Sequence, residues 1–188
     1  MDDKTNKYTY CYDCFRWLQT YPEAILAHQA IFQYDEVFSE WLSRLKYHGD
    51  VRLAKIMVDT LSEIYLQYED YAWIILPSSP ESIHERGFHS TAILLMEAGI
   101  AFSEPFDYIG DGRKQAKKAR DERIQLGQSF QIKSDFVFNQ SKYLIFDDVY
   151  TTGATLLQAK NLLRLALIAG ESDALVESLT LAHHQMLD

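Results

Sequence analysis

The chain has 188 residues, 47% hydrophobic, 13% aromatic and 24% charged, which excludes disorder and supplies one full core but falls short of two. No apolar run reaches the roughly 18 to 20 residues of a membrane span, and mean hydropathy is -0.22, so no membrane insertion is expected. Eighteen Lys and Arg against 27 Asp and Glu leave a net charge of -9, which excludes bulk attraction to nucleic acid or anionic lipid.

In chain order, Met1-Asp2-Asp3-Lys4 carries acid where a secretory signal would carry basic residues, and predicts a cytoplasmic location. Cys11 and Cys14 are the only cysteines, too few for a disulfide scaffold. As a C-x-x-C pair they supply half of a tetrahedral zinc site, and the nearest histidine is His28. A redox pair would follow a strand and open a helix, whereas only polar sequence precedes this one. Residues 28 to 34 (HQAIFQY) predict a short strand. From Asp35 as N-cap, the spacing of Val37, Phe38, Trp41, Leu42 and Leu45 predicts a helix that stops near Gly49. A second helix is predicted over 51 to 67, with Leu53, Ile56, Met57, Leu61 and Ile64 on its apolar face.

The pattern then changes. Residues 71 to 76 (YAWIIL), closed by Pro77, read as a strand buried on both faces. A helix is predicted over 89 to 98, ended by Gly99, and a short strand in 100 to 109, interrupted at Pro105. Between Gly110 and Arg123 six basic residues (Arg113, Lys114, Lys117, Lys118, Arg120, Arg123) face three acids (Asp111, Asp121, Glu122), a local +3 that leaves -12 for the rest. Such an island suits a small anion better than a long polymer, and a solvated helix face is the plainer alternative. Residues 143 to 146 (YLIF) predict a buried strand, 154 to 169 a helix ended by Gly170, and 174 to 182 the last strand. His183 and His184 at its end are expected on the surface. Strands separated by helices predict an α/β fold with a mostly parallel central sheet flanked by helices, and ligands at the carboxyl ends of its strands.

The stretch YLIFDDVYTTGAT, 143 to 155, carries the most chemistry. An apolar strand runs into Asp147 and Asp148, then into hydroxyls and glycine, then into a long helix. Thr151, Thr152 and Thr155 offer hydroxyls, Gly153 lets backbone amides approach a ligand, and Ala154 opens the helix whose positive end points at the loop. That is a phosphate cradle. Two adjacent carboxylates would repel a bare phosphate, so the ligand should also present hydroxyls or a hard cation on that side, as a ribose 5-phosphate does. Either piece alone reads more plainly as a solvated turn or a helix cap than as a ligand site; the whole string in order points to a phosphoribosyl site.

Hydrophobic residues, two acids and Thr-Thr-Gly-x-Thr resemble the diphosphoribose (PRPP) motif of the type I phosphoribosyltransferases. Within that superfamily, Pro77-Ser78-Ser79-Pro80 followed by Glu85-Arg86-Gly87-Phe88-His89 resembles the ComFC and GntX branch of competence-associated proteins, with His89 where the branch usually has Asn. Lys46-Tyr47-His48-Gly49-Asp50 is similar to its Lys-Tyr-x-Gly-Asp segment, and Gln115, Arg123 and Phe130 to its Gln, Arg, Phe spacing, with Leu126 where Asn is common. The resemblance implies a type I phosphoribosyltransferase fold, with residues 28 to 50 forming a small hood over the carboxyl ends of the sheet. It implies a phosphoribosyltransferase-like domain over 28 to 188, after a remnant of a cysteine-containing segment over 1 to 27. Cys11 and Cys14 resemble the second half of a four-cysteine finger, so zinc is expected only in a chain with the complete finger.

By the same resemblance, Asp147 and Asp148 are the catalytic acids, holding the ribose hydroxyls directly or through water on Mg²⁺. Thr151, Thr152, Gly153, Ala154 and Thr155 bind the 5-phosphate. Ser78 and Ser79 line the pyrophosphate loop or are a plain loop after Pro77. Arg86 stabilises a leaving phosphate or makes a surface pair, and Lys114 and Lys117 belong to a mobile loop over the pyrophosphate. The implied role is natural competence, meaning DNA uptake and transformation beside a helicase-like partner, with weak single-stranded DNA binding. Two other readings stand: a PRPP-responsive binding module without turnover, and a base or nucleoside salvage phosphoribosyltransferase of the glycosyltransferase class.

Overall fold

A computed structural model of the chain describes residues 27–110 and 129–184. Cys11, Cys14, Lys114, Lys117, Gln115, Arg123 and Leu126 lie outside the described residues. The elements in chain order are β1 (His28–Gln33), α1 (Glu36–Tyr47), a 3-10 segment (Val51–Met57), α2 (Val58–Gln67), β2 (Ala72–Ile75), α3 (Pro80–Arg86) and α4 (Ser90–Glu97). They continue with β3 (Phe102–Ser103), β4 (Phe106–Tyr108), β5 (Phe130–Ile132), β6 (Lys142–Tyr150), α5 (Ala154–Ala169) and β7 (Leu175–His183).

Five strands form one sheet in the order β1-β7-β6-β2-β3, and every neighbouring pair is parallel. Residue alternation along the central strands divides the core in two. Trp73 and Ile75 of β2, with Leu144 and Phe146 of β6, face a layer built from α1, the 3-10 segment, α2 and α4. Ile74, Tyr143 and Ile145 face the opposite way, against Leu156, Ala159, Leu163 and Leu167 of α5 and Phe106 and Phe130 of the antiparallel β4-β5 pair. The sheet is therefore buried on both faces, the arrangement expected of parallel strands joined by helices. Among the described residues, no helix is long and apolar enough to cross a membrane.

Local chemistry accounts for most of the boundaries. Asp35 caps α1 as predicted, accepting from Phe38 N at 2.8 Å. The helix predicted over 51 to 67 is wound as 3-10 through Met57 and as α only from Val58. Its buried residues in the first part are Ala54 and Met57, three apart, and the Leu53 carbonyl accepts from Trp41 Nε1 at 3.1 Å, which suits a three-residue turn. α3 falls where a loop was expected. Ser79 caps it, Pro80 opens it with a preset φ, and Gly87 closes it at φ 79°. The interruption at Pro105 is a change of sheet: β3 pairs with β2, whereas β4 pairs with β5.

Two expectations are corrected. Residues 28–33 do not stand over the sheet as part of a hood; they join it as β1, parallel to β7, with Ala30 opposite Thr180 and Phe32 opposite Ala182. The reason is β7 itself, whose residues 178 to 182 are all buried, so that it needs neighbours on both edges. From the 28 to 50 segment, α1 reaches the carboxyl ends through Lys46. His183 and His184 are half-buried rather than on the surface: the His183 ring stands edge-on to Tyr150 with centroids 4.9 Å apart, and His184 packs on Tyr34 at 5.1 Å.

Candidate functional site at the carboxyl ends of β2 and β6

The sheet order places the site. From β2 the chain moves outward to β3, and from β6 it moves the opposite way to β7, so the crevice between the carboxyl ends of β2 and β6 is the topological switch point where ligands of such sheets sit. Ile75 is opposite Phe146, which brings residues 77 to 79 beside the end of β6. The sequence reading ends the strand before the acids. In the structure β6 runs through both of them to Tyr150, so Asp147 and Asp148 are held by strand backbone rather than by a loop.

Asp148 is 6% exposed and is not alone. Lys46, in the last turn of α1, places Nζ 2.6 Å from Asp148 Oδ2. Ser90, opening α4, donates to the same oxygen at 3.3 Å, and Arg86 Nη1 donates in turn to Ser90 Oγ at 3.3 Å while its Nε donates to the Ser82 carbonyl at 3.1 Å. The chain Arg86, Ser90, Asp148, Lys46 ties three separate elements to one carboxylate. Burial works against the Lys46 charge, but the neighbouring Asp148 and Asp147 carboxylates outweigh it and hold its pKa above the ordinary lysine value.

Asp147 Oδ1 accepts from the Asp148 backbone N–H at 2.9 Å. Burial first, and then the charge of Asp148, push its carboxyl up to about 7, against the opposing pull of Lys46, the Asp148 N–H and the Thr91 hydroxyl. Near neutral pH it can therefore accept a hydrogen bond from a ligand hydroxyl or donate one.

Beyond Tyr150 the backbone turns at Thr151, Thr152 and Gly153 into α5. Thr152 is 5% exposed and its Oγ1 accepts a long 3.4 Å bond from Ala154 N, whereas Thr151 and Thr155 face solvent. Gly153 sits at φ 74° in the left-handed region, and a Cβ there would lie 2.7 Å from Tyr150 Cζ. The N-cap of α5 is Gly153, which offers no side chain, and the long bond from Thr152 engages only the Ala154 amide. A 16-residue helix thus presents its positive end, flanked by two exposed hydroxyls, next to the acidic pair.

The remaining sequence-predicted residues divide. Arg86 is brought to the acids through Ser90. Ser79 is spent locally: it accepts from Ser82 N at 3.2 Å and donates to Ser82 Oγ at 3.0 Å, while Ser78 is half-buried beside it. Phe130 is a core residue, edge-on to Phe106 at 5.1 Å. Gly110 N and Ile109 N both donate to Ser129 O, so the described residues on either side of 111 to 128 lie side by side. Asp50 of the Lys46 segment is paired with Arg52 at 2.8 Å and Arg44 at 3.6 Å, not with the site.

His89 replaces the usual Asn of that segment without losing its cap. Its Nδ1 accepts from Ala92 N at 3.3 Å, as an Asn oxygen would, and its Nε2 lies 2.9 Å from the Leu76 carbonyl, which assigns the proton to Nε2. Burial lowers its pKa and keeps that neutral form. The ring thereby fastens the start of α4 to the end of β2. Sequence reasoning missed Lys46, Ser90 and Thr91 as site residues; the one signal for them was the Lys46-Tyr47-x-Gly49-Asp50 resemblance, which names Lys46 but not its partner.

A metal ion has little to bind on the protein side. Among the described residues no three His, Cys, Asp or Glu side chains converge on one point, and one oxygen of Asp148 already carries an ammonium. A hard six-coordinate Mg²⁺ therefore does not fit as an ion caged by the described side chains, though it fits as one carried in by a diphosphate. An apolar groove of about 550 Å³ lies elsewhere, between the end of β1, α1 and the 3-10 segment, lined by Phe32, Val37, Phe38, Trp41, Ile56 and Met57, and neither acid reaches it.

No family model matches the chain. It is 35% identical over 164 residues to the competence protein ComFC of Streptococcus pneumoniae, spanning 87% of this chain and 72% of that protein. The chain belongs to the ComFC family. With ComFC of Bacillus subtilis it shares 30% identity over 151 residues, spanning 78% of this chain and 62% of that relative. Among solved structures, this ComFC-family chain is similar to adenine phosphoribosyltransferase from Leishmania tarentolae at a TM-score of 0.41 and 18% identity, covering 72% of this chain and 59% of that one. A hypoxanthine phosphoribosyltransferase from Staphylococcus aureus follows at 0.34 and 14%, covering 71% and 64%.

Proposed function

We propose that the chain is a phosphoribosyltransferase-family protein that binds PRPP and Mg²⁺ and serves natural competence, in DNA uptake for transformation with a helicase-like partner. The observation that carries the reading is the switch-point crevice. There the half-buried Asp147 and the buried Asp148 adjoin the Thr151-Thr152-Gly153 turn and the start of α5, an acid pair beside a phosphate cradle as a phosphorylated diol requires. The competence role is taken from the ComFC relatives.

In this reading Asp147 and Asp148 accept hydrogen bonds from the ribose 2- and 3-hydroxyls. The amides from Gly153 to Thr155 and the Thr151 and Thr155 hydroxyls hold the 5-phosphate. Arg86 is assigned to the pyrophosphate side; Lys114 and Lys117, assigned to it by the same resemblance, lie outside the described residues. Mg²⁺ enters with the diphosphate and offsets its charge. If an acceptor nitrogen attacks C1, the bond from C1 to the pyrophosphate oxygen breaks, pyrophosphate leaves with its electron pair, and the nitrogen gives up a proton.

The test is to incubate the chain with Mg²⁺, PRPP and a panel of bases, nucleosides and amines and to measure pyrophosphate. Release above the hydrolytic background with one panel member makes the protein a transferase. Saturable PRPP binding with no release makes it the non-turning module, and absence of both overturns the proposal.

A further inference from the structure

The acids at the switch point already have a cation, and the chain supplies it. Lys46 Nζ is 2.6 Å from Asp148 Oδ2, with the two side chains 19% and 9% exposed. Asp147 is close enough for its charge to act on Lys46, and so is Arg86. Lys46 and Arg86 together offset the two carboxylates, so the crevice does not repel a phosphate as two bare acids would. A divalent ion bridging both carboxylates would have to displace the ammonium or stand against it, and no third ligating side chain among the described residues would compensate.

We propose that Lys46 is the resident cation of the diol site, filling the place a protein-held divalent ion would otherwise take, so that the chain recognises a pentose 5-phosphate without metal. Mg²⁺ is then required only by a ligand that brings a diphosphate. The inference rests on the pentose-phosphate reading of the site and adds a ligand class to it: 5-phosphorylated pentoses that carry no diphosphate. Lys46 acts as a positioning residue here, through Asp148.

Two measurements test this. In the first, Mn²⁺ alone is titrated into the protein and followed by electron paramagnetic resonance. The wild type should leave the ion free, and Lys46→Met, with its carboxylates uncovered, should bind it at least about tenfold more tightly. In the second, ribose 5-phosphate is titrated calorimetrically in EDTA and in Mg²⁺. Wild-type affinity should be the same in both, whereas Lys46→Met should lose about tenfold or more in EDTA and recover part of it with Mg²⁺.

Lys46→Arg keeps the charge and should behave as the wild type. If Lys46→Met does not fold, the wild type's response to Mg²⁺ decides the matter. Wild-type binding that needs Mg²⁺, or Mn²⁺ binding equal in the two proteins, overturns the role of Lys46 and leaves the pentose-phosphate reading intact. A wild type that binds neither ribose 5-phosphate nor PRPP overturns both.

Discussion

Gly153→Ala tests whether the phosphate turn is built as described. Two costs add. An alanine at φ 74° must hold the left-handed region, which costs about 1 kcal/mol relative to glycine. Its Cβ would also lie 2.7 Å from Tyr150 Cζ and 2.9 Å from Cε2, well inside contact distance. That ring has no easy retreat: Tyr150 is 3% exposed, stacked on His28 with centroids 4.3 Å apart and edge-on to His183 at 4.9 Å. Overpacking of this kind costs about 1 to 3 kcal/mol, so the total is about 2 to 4 kcal/mol. In a chain of this size that lowers Tm by roughly 5 to 15 °C. Urea unfolding followed by circular dichroism measures it, with Tyr150→Ala as a second background. Without the ring, Gly153→Ala should cost only the backbone term. A penalty below about 0.5 kcal/mol in the wild type, or one equal in both backgrounds, refutes the geometry.

His28 gives a pH signature. Burial, and then the nearby His183 charge, lower its pKa to about 4, so the folded state holds it neutral where the unfolded chain protonates near 6.5. Its contribution is complete above 6.5 and is lost as pH falls toward 4, by about 3 kcal/mol at most for a half-buried ring. His28→Phe should therefore gain on the wild type as pH drops through that window; parallel stability curves would contradict this. Asp35→Ala removes the α1 cap and should cost about 1 kcal/mol by the same urea assay. Asp148→Ala leaves the Lys46 ammonium without its carboxylate and should cost about 3 kcal/mol, with part of the loss returned by adding Lys46→Met; no recovery would mean the pair is uncoupled.

Patterns that depend on neighbours in sequence were legible. The Asp35 cap, the strand at 72–75, the apolar first half of the strand at 142–150 and the helix of 154–169 follow from local periodicity and capping, and the run of acids, threonines and glycine marks the crevice before any topology is known. Ser79-Pro80 carries the signature of a helix start, but the same residues also read as a ligand loop or a plain loop after Pro77. What periodicity does not carry is the partner across the fold. Lys46 and Asp148 are about a hundred residues apart in sequence and meet only because α1 ends above β6. β1 likewise reads as a short strand, but its place at the sheet edge is dictated by the doubly buried β7.

The central claim is that the crevice between β2 and β6 holds a 5-phosphorylated ribose between the acids and the Thr-Thr-Gly turn. Calorimetric titration with PRPP and Mg²⁺ tests it most directly, on the wild type, on Asp147→Ala with Asp148→Ala, and on Thr152→Ala, each checked for a folded circular dichroism spectrum. The account predicts saturable one-to-one binding by the wild type, weakened by about tenfold or more in folded variants of either kind. Unchanged affinity in those variants, or no binding by the wild type, would contradict it.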